Sequence, residues 1–206
     1  MSRVHRELLL LPLLALIGAL LLSTLDLGTR AQVARNEQHA KDRILLDTLR
    51  LPADTHAALE QDGLIADSAR LGLRTAQRIY LARIDGRVVA LIVPVTARDG
   101  FGGDIDLLVG INSDGRVTGI QVVRQHESEQ FGAIIARERS EWIEQFVGQS
   151  LEQTPPGHWA VNGEGGTFDQ ITGATITSRA VIKAVEQALS YVADHRAELL
   201  REHAHD

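Results

Sequence analysis

Apolar residues in this chain follow three different patterns: an unbroken run near the start, paired β-type runs in the middle, and a helical stripe towards the end. From Leu8 to Leu25 no residue is charged and leucine dominates. A helix of about 18 residues at 1.5 Å each is ~27 Å long, close to the hydrocarbon thickness of a bilayer, so one N-terminal transmembrane helix is expected. Pro12 lies near the start of that run, where a missing N–H costs little, and Gly18 and Ala19 are common in membrane helices. A cleaved signal peptide is the alternative, but its apolar region is usually shorter, and Thr29-Arg30-Ala31 is a poor cleavage site. Arg3 and Arg6 precede the run and Asp26 is the first charge after it. That bias puts the N-terminus in the cytoplasm and residues 31–206 outside it.

Beyond the run, Val33 to Leu49 is polar, with Ile44, Leu45 and Leu49 at helical spacing, and it stops at Leu51-Pro52. This reads as a stalk or leading helix. Gln77 to Ile84 and Arg87 to Thr96 are β-branched runs separated by Asp85-Gly86, a strong hairpin signal. Asp104 to Ile111 and Arg116 to Val123 flank Asn112-Ser113-Asp114-Gly115 and predict a second hairpin. The period then becomes helical: Ile134, Ile135, Trp142, Ile143, Phe146 and Val147 suggest one or two short helices. Thr154 to Gly166 is a Pro- and Gly-rich loop in which Trp159-Ala160-Val161 could form a short strand. From Arg179 onward Val181, Ile182, Val185, Leu189 and Val192 form the apolar stripe of a long helix. The expected class is α+β: an antiparallel sheet of two hairpins packed by helices, after one N-terminal transmembrane helix. The expected division is 1–28 anchor, 29–75 stalk or leading helix and linker, and 76–206 main domain.

Composition narrows the chemistry. A chain of 206 residues with 44% hydrophobic side chains can bury one sizeable core. The net charge of −6 argues against a sequence-independent nucleic-acid binder, since Lys and Arg drive that association. There is no cysteine, so any redox chemistry must come from a bound cofactor rather than from thiols or iron–sulfur clusters. No Gly-x-Ser-x-Gly elbow supports a hydrolase, and no catalytic residue is assigned. The tail Glu202-His203-Ala204-His205-Asp206 could hold a metal weakly but reads as a frayed terminus, so no metal site is assigned either.

The segment that carries chemistry is Asp169-Gln170-Ile171-Thr172-Gly173-Ala174-Thr175-Ile176-Thr177-Ser178. Gly173 and Ala174 allow close approach of a ligand, and hydroxyls at 172, 175, 177 and 178 surround the start of the helix. A helix N-terminus suits a phosphate. The plain reading is an ordinary helix start, with Thr177 or Ser178 as N-cap and Gly173 in a turn.

Asp-x-x-Thr-Gly-Ala-Thr, followed by hydroxyl residues and an apolar helix, resembles the flavinylation motif of the FMN-binding domain family. That family includes subunits of Rnf-type (Rsx) electron-transport complexes and of the sodium-pumping NADH:quinone reductase. The likeness extends to Gly100-Phe101-Gly102-Gly103 before a strand, to Asp114-Gly115-Arg116-Val117-Thr118-Gly119, and to Trp142-Ile143-Glu144-Gln145-Phe146. Chain size favours the Rnf branch over the longer sodium-pump one. The resemblance implies FMN joined to Thr175 by a phosphoester, with Thr172, Gly173, Ala174 and Thr177 around it. It further implies a periplasmic flavin transferase that splits FAD with magnesium, releases AMP, and either reads Asp169 or uses it to activate the hydroxyl. The 76–206 domain would then be a periplasmic FMN-binding domain on an inner-membrane anchor, relaying electrons between other membrane subunits of the complex.

One segment departs from the family pattern. The family's His-x-Glu-Thr-Pro-Gly-Leu-Gly corresponds here to His126-Glu127-Ser128-Glu129-Gln130-Phe131-Gly132, shorter by about one residue and without the proline and first glycine. His126, Glu127 and Gly132 carry over as flavin-pocket residues, with Phe131 a candidate to pack on the ring; otherwise His126 is a surface histidine. The competing functional readings are a cofactor-free accessory subunit, in which Thr175 merely caps the helix, and a flavin-dependent regulatory subunit.

Overall fold

The computed structural model describes residues 45, 47–51, 58–66, 69–128, 133–136 and 139–200. The Leu8 to Leu25 run, most of the leading helix, Phe131, Gly132 and the histidine-containing tail lie outside them. Among the described residues no helix is long and apolar enough to cross a membrane.

The domain is α+β. Five strands, β1 (Ala58–Ile65), β2 (Arg78–Ile84), β3 (Arg87–Gly100), β4 (Gly103–Asn112) and β5 (Val117–Arg124), form an antiparallel sheet in sequence order. Both expected hairpins are present. At the first turn Asp85 takes a left-handed conformation (φ 50°) that short polar residues tolerate. At the second, the Asn112 side-chain oxygen accepts from the amides of Asp114 (3.0 Å) and Arg116 (2.8 Å), which closes the loop.

The sheet is larger than two hairpins. β3 runs on to Gly100 and returns through Phe101-Gly102, pairing with β4 from Ala90↔Asn112 to Gly100↔Gly103, so the two hairpins are one meander. β1, within the segment read as leading helix and linker, adds a fifth strand on the β2 edge. Its polar sequence hides it, because an edge strand can be held by backbone pairing alone.

β3 is apolar on both sides because both sides are covered. Leu91, Val93, Val95 and Ala97 join the main core, while Ala90 and Ile92 pack in a second cluster with Leu45 and Leu49. The main core is closed by a helix, α1 (Thr175–Leu199), whose Val181, Ile182, Val185, Leu189 and Val192 are all buried. Burying each such side chain contributes about 1.5–3 kcal/mol relative to leaving it exposed. The short helices are 3-10 turns at Ala133–Ile135 and Trp142–Phe146, and the Trp159-to-Val161 segment makes a single parallel bridge, Val161↔Phe168.

Candidate functional site

α1 begins four residues earlier than its apolar stripe suggests, and the loop leading into it is held from behind. Phe168 is 1% exposed and packs between Phe146 and Trp159, each with ring centroids 4.8 Å away, and Trp142 meets Phe146 edge-on at 5.5 Å. Aromatic contacts of this kind add modestly to a large burial term and fix ring geometry. The next residue, Asp169, is clamped through its backbone. Its N–H donates to Gln145 Oε1 (2.8 Å), and its carbonyl accepts from Trp142 Nε1 (2.8 Å) and, more weakly, Gln145 Nε2 (3.4 Å). The Asp169 carboxylate faces solvent and makes no hydrogen bond or ion pair among the described residues.

The turn that follows needs Gly173, whose φ is 82°. Ala174 is the N-cap, and no side chain caps the helix. Neither Thr177 nor Ser178 occupies the cap; both are buried in the first turn, each bonded elsewhere. Ser178 Oγ accepts from the Ile171 amide (3.0 Å) and donates to the Ala174 carbonyl (2.9 Å), stitching loop to helix. The amides of Thr175, Ile176 and Thr177 thus open α1 without an intrahelical acceptor. Thr175 is half-buried, and its hydroxyl donates to Gln170 Oε1 at 2.9 Å.

Facing this helix start is the β3–β4 turn, joined to it by one buried carboxylate. Glu127 Oε2 accepts from the Thr177 hydroxyl (2.7 Å), and Oε1 accepts from the Gly102 amide (2.9 Å). Gly102 is required here, since a Cβ would lie 2.0 Å from the His126 carbonyl oxygen. Beside it Phe101 projects, 72% exposed, and across from it Ile176 is 48% exposed. Between them lies an open cleft of about 380 Å³, lined by Phe101, Glu127, Ser128, Gly173, Ala174, Thr175, Ile176 and Thr177. Its size falls in the usual range for small-molecule sites.

Of the residues singled out from sequence, Glu127, Gly173, Ala174, Thr175 and Thr177 meet at this cleft. Thr172 and Asp169 are exposed on the loop behind it, and His126 is exposed and contributes only its backbone to the Gly102 contact. Phe101 and Ile176 also line the cleft and Gln170 bonds Thr175 beside it; each lies within one of the motif strings but carries no expected role there. A lone aromatic between glycines hints at Phe101, whereas no sequence pattern points to Gln170.

Two nearby cations are paired: Arg179 with Glu164, and Lys183 with Asp99 at 3.3 Å. Just past the turn, the Arg74 guanidinium hydrogen-bonded to Asp104 holds that carboxyl below its ordinary range.

The stretch from the Phe101 turn through Thr175 into α1 falls within residues 100–190, which match the family model described as FMN-binding domain. That match takes in β4, β5, the residues that line the cleft and most of α1. Over nearly its whole length the chain is also similar to curated proteins named as the G subunit of an ion-translocating oxidoreductase complex. It is 39% identical to that of Pseudomonas aeruginosa over 196 residues, 95% of this chain and 91% of the relative. For Salmonella typhimurium the identity is 39% over 172 residues, 84% of this chain and 81% of the relative. For Aliivibrio fischeri it is 32% over 200 residues, 97% and 95%. The chain belongs to this family, the G subunits of ion-translocating oxidoreductase complexes of the Rnf type.

Proposed function

We propose that this chain is the electron-carrying flavoprotein subunit of a membrane-bound Rnf-type complex, with FMN held through a phosphoester on Thr175. The observation that carries the reading is the position of the Thr175 hydroxyl. Thr175 lines the cleft at a helix start with three amides lacking intrahelical acceptors, and the exposed apolar side chains of Phe101 and Ile176 line it too. Those amides suit a phosphate, and Phe101 and Ile176 suit the faces of an isoalloxazine ring. Bound FMN would supply reversible electron uptake, leaving the protein to orient the ring, tune its surroundings and limit water. The cofactor-free alternative gives Thr175 the job of helix cap. Ala174 holds that position, and the Thr175 hydroxyl bonds Gln170 instead.

Loading would use a periplasmic flavin transferase acting on FAD. The Leu8 to Leu25 run would anchor the chain in the inner membrane, N-terminus in the cytoplasm, with the sheet-and-helix domain, β1 included, in the periplasm against other membrane subunits. In denaturing gels, protein coexpressed with the transferase is expected to fluoresce and the Thr175→Ala variant to be dark. A dark wild-type band would defeat covalent attachment, and a fluorescent variant would defeat the choice of residue.

A further inference from the structure

We infer that Gln170 is a positioning residue for flavin attachment, its amide oxygen orienting the Thr175 hydroxyl for reaction. The inference rests on Thr175 being the attachment residue. A threonine in a helix commonly turns its hydroxyl back to the carbonyl four residues earlier. Ser178 does so, to Ala174 at 2.9 Å. Thr175, the first residue of α1, has no preceding turn to bond back to, and its hydroxyl donates to Gln170 Oε1 at 2.9 Å, in an exposed contact outside the helix. A hydroxyl has one proton and two lone pairs, so committing the proton to Gln170 fixes the direction of the lone pairs.

The backbone leading to the acceptor is held. Gln170 follows Asp169, whose N–H and C=O are clamped by Gln145 and Trp142, and Asp169 follows the buried Phe168. A line of fixed groups therefore runs from the 3-10 turn Trp142–Phe146 to the reacting oxygen. In the transfer, a bond forms between Thr175 Oγ1 and the flavin-side phosphorus of FAD. The pyrophosphate P–O bond to the adenylate breaks, AMP leaves, and the hydroxyl proton passes to solvent. The Gln170 amide takes no proton; it sets direction only.

The test follows flavin incorporation into the full chain by purified transferase with FAD and magnesium, read as fluorescence after denaturation. Gln170→Leu keeps the size and removes the acceptor, and Gln170→Glu restores it. The leucine variant is expected to be slower by about tenfold or more in maximal rate. The chain concentration for half-saturation and the thermal midpoint should stay unchanged, and the glutamate variant should recover most of the rate. A leucine variant labelled at the wild-type rate, or a glutamate variant as slow as leucine, would overturn the role of Gln170. Failure of the underlying reading looks different: wild type stays dark, or Thr175→Ala is labelled.

Discussion

The two walls of the cleft are built on opposite plans. The wall carrying Thr175 is mounted on a stack of buried rings, Phe146, Phe168 and Trp159, and then fixed by backbone clamps at Asp169. The wall carrying Phe101 is a hairpin tip whose Phe101 is exposed, tied to α1 by one buried carboxylate, Glu127, and by the exposed Asp99–Lys183 pair. Packing fixes a group by volume and tolerates little displacement. One hydrogen-bonded latch fixes a group in one direction and leaves others soft. On the proposed reading, a hydroxyl that would meet a phosphorus suits the first arrangement. An apolar side chain that must lie against a ring can use the second.

The comparison breaks first at Phe168. Replacing it with alanine removes a fully buried ring and should cost about 4 kcal/mol in chemical denaturation, with flavin attachment falling alongside. Next comes Glu127→Ala, which strands the Gly102 amide and the Thr177 hydroxyl and should cost about 3 kcal/mol. Its attached flavin should show an altered absorbance spectrum while attachment itself persists. Were attachment lost as completely as with Phe168→Ala, the walls would be one unit and the contrast would fail. Phe101→Ala should leave stability within about 0.5 kcal/mol, because the side chain is exposed, yet shift the flavin's midpoint potential. An unchanged potential would remove Phe101 from the ring's surroundings.

The smallest effect lies away from both walls. Partial burial raises the Glu186 carboxyl above its ordinary value. Its contribution to stability is therefore full below the unfolded pKa and is lost as pH rises through the folded one. Glu186→Gln should be slightly more stable than wild type at neutral pH in thermal unfolding, with the difference vanishing in acid.

How much of this could be read from the chain depends on the reach of each interaction. The α1 stripe and both hairpin turns are local patterns: Val181 to Val192 repeats at helical spacing, and Asp85-Gly86 and Asn112 to Gly115 carry their own turn chemistry. β1 was hidden because Glu60, Gln61, Asp62 and Gly63 interrupt any apolar alternation, and its pairing with β2 uses the backbone. The role proposed for Thr175 comes only from the likeness of its motif to a family, since on spacing alone the same residues describe a plain helix start. The bond from Glu127 to Thr177 joins positions fifty residues apart, so no window along the sequence contains it. The Trp142-to-Phe146 likeness was legible as a string but not as a mount; its purpose appears only once Asp169 lies against it.

The latch at Glu127 also bears on timing. The rim of the cleft is drawn from the β3–β4 turn, the segment after β5, and the start of α1, which a newly made chain supplies well apart from one another. An unfolded chain offers a modifying enzyme the letters around Thr175 but neither the oriented hydroxyl nor the facing apolar wall. On the proposed attachment at Thr175, an enzyme sensitive to that geometry would load cofactor only onto chains that have finished folding, and a loaded chain would record its own successful assembly.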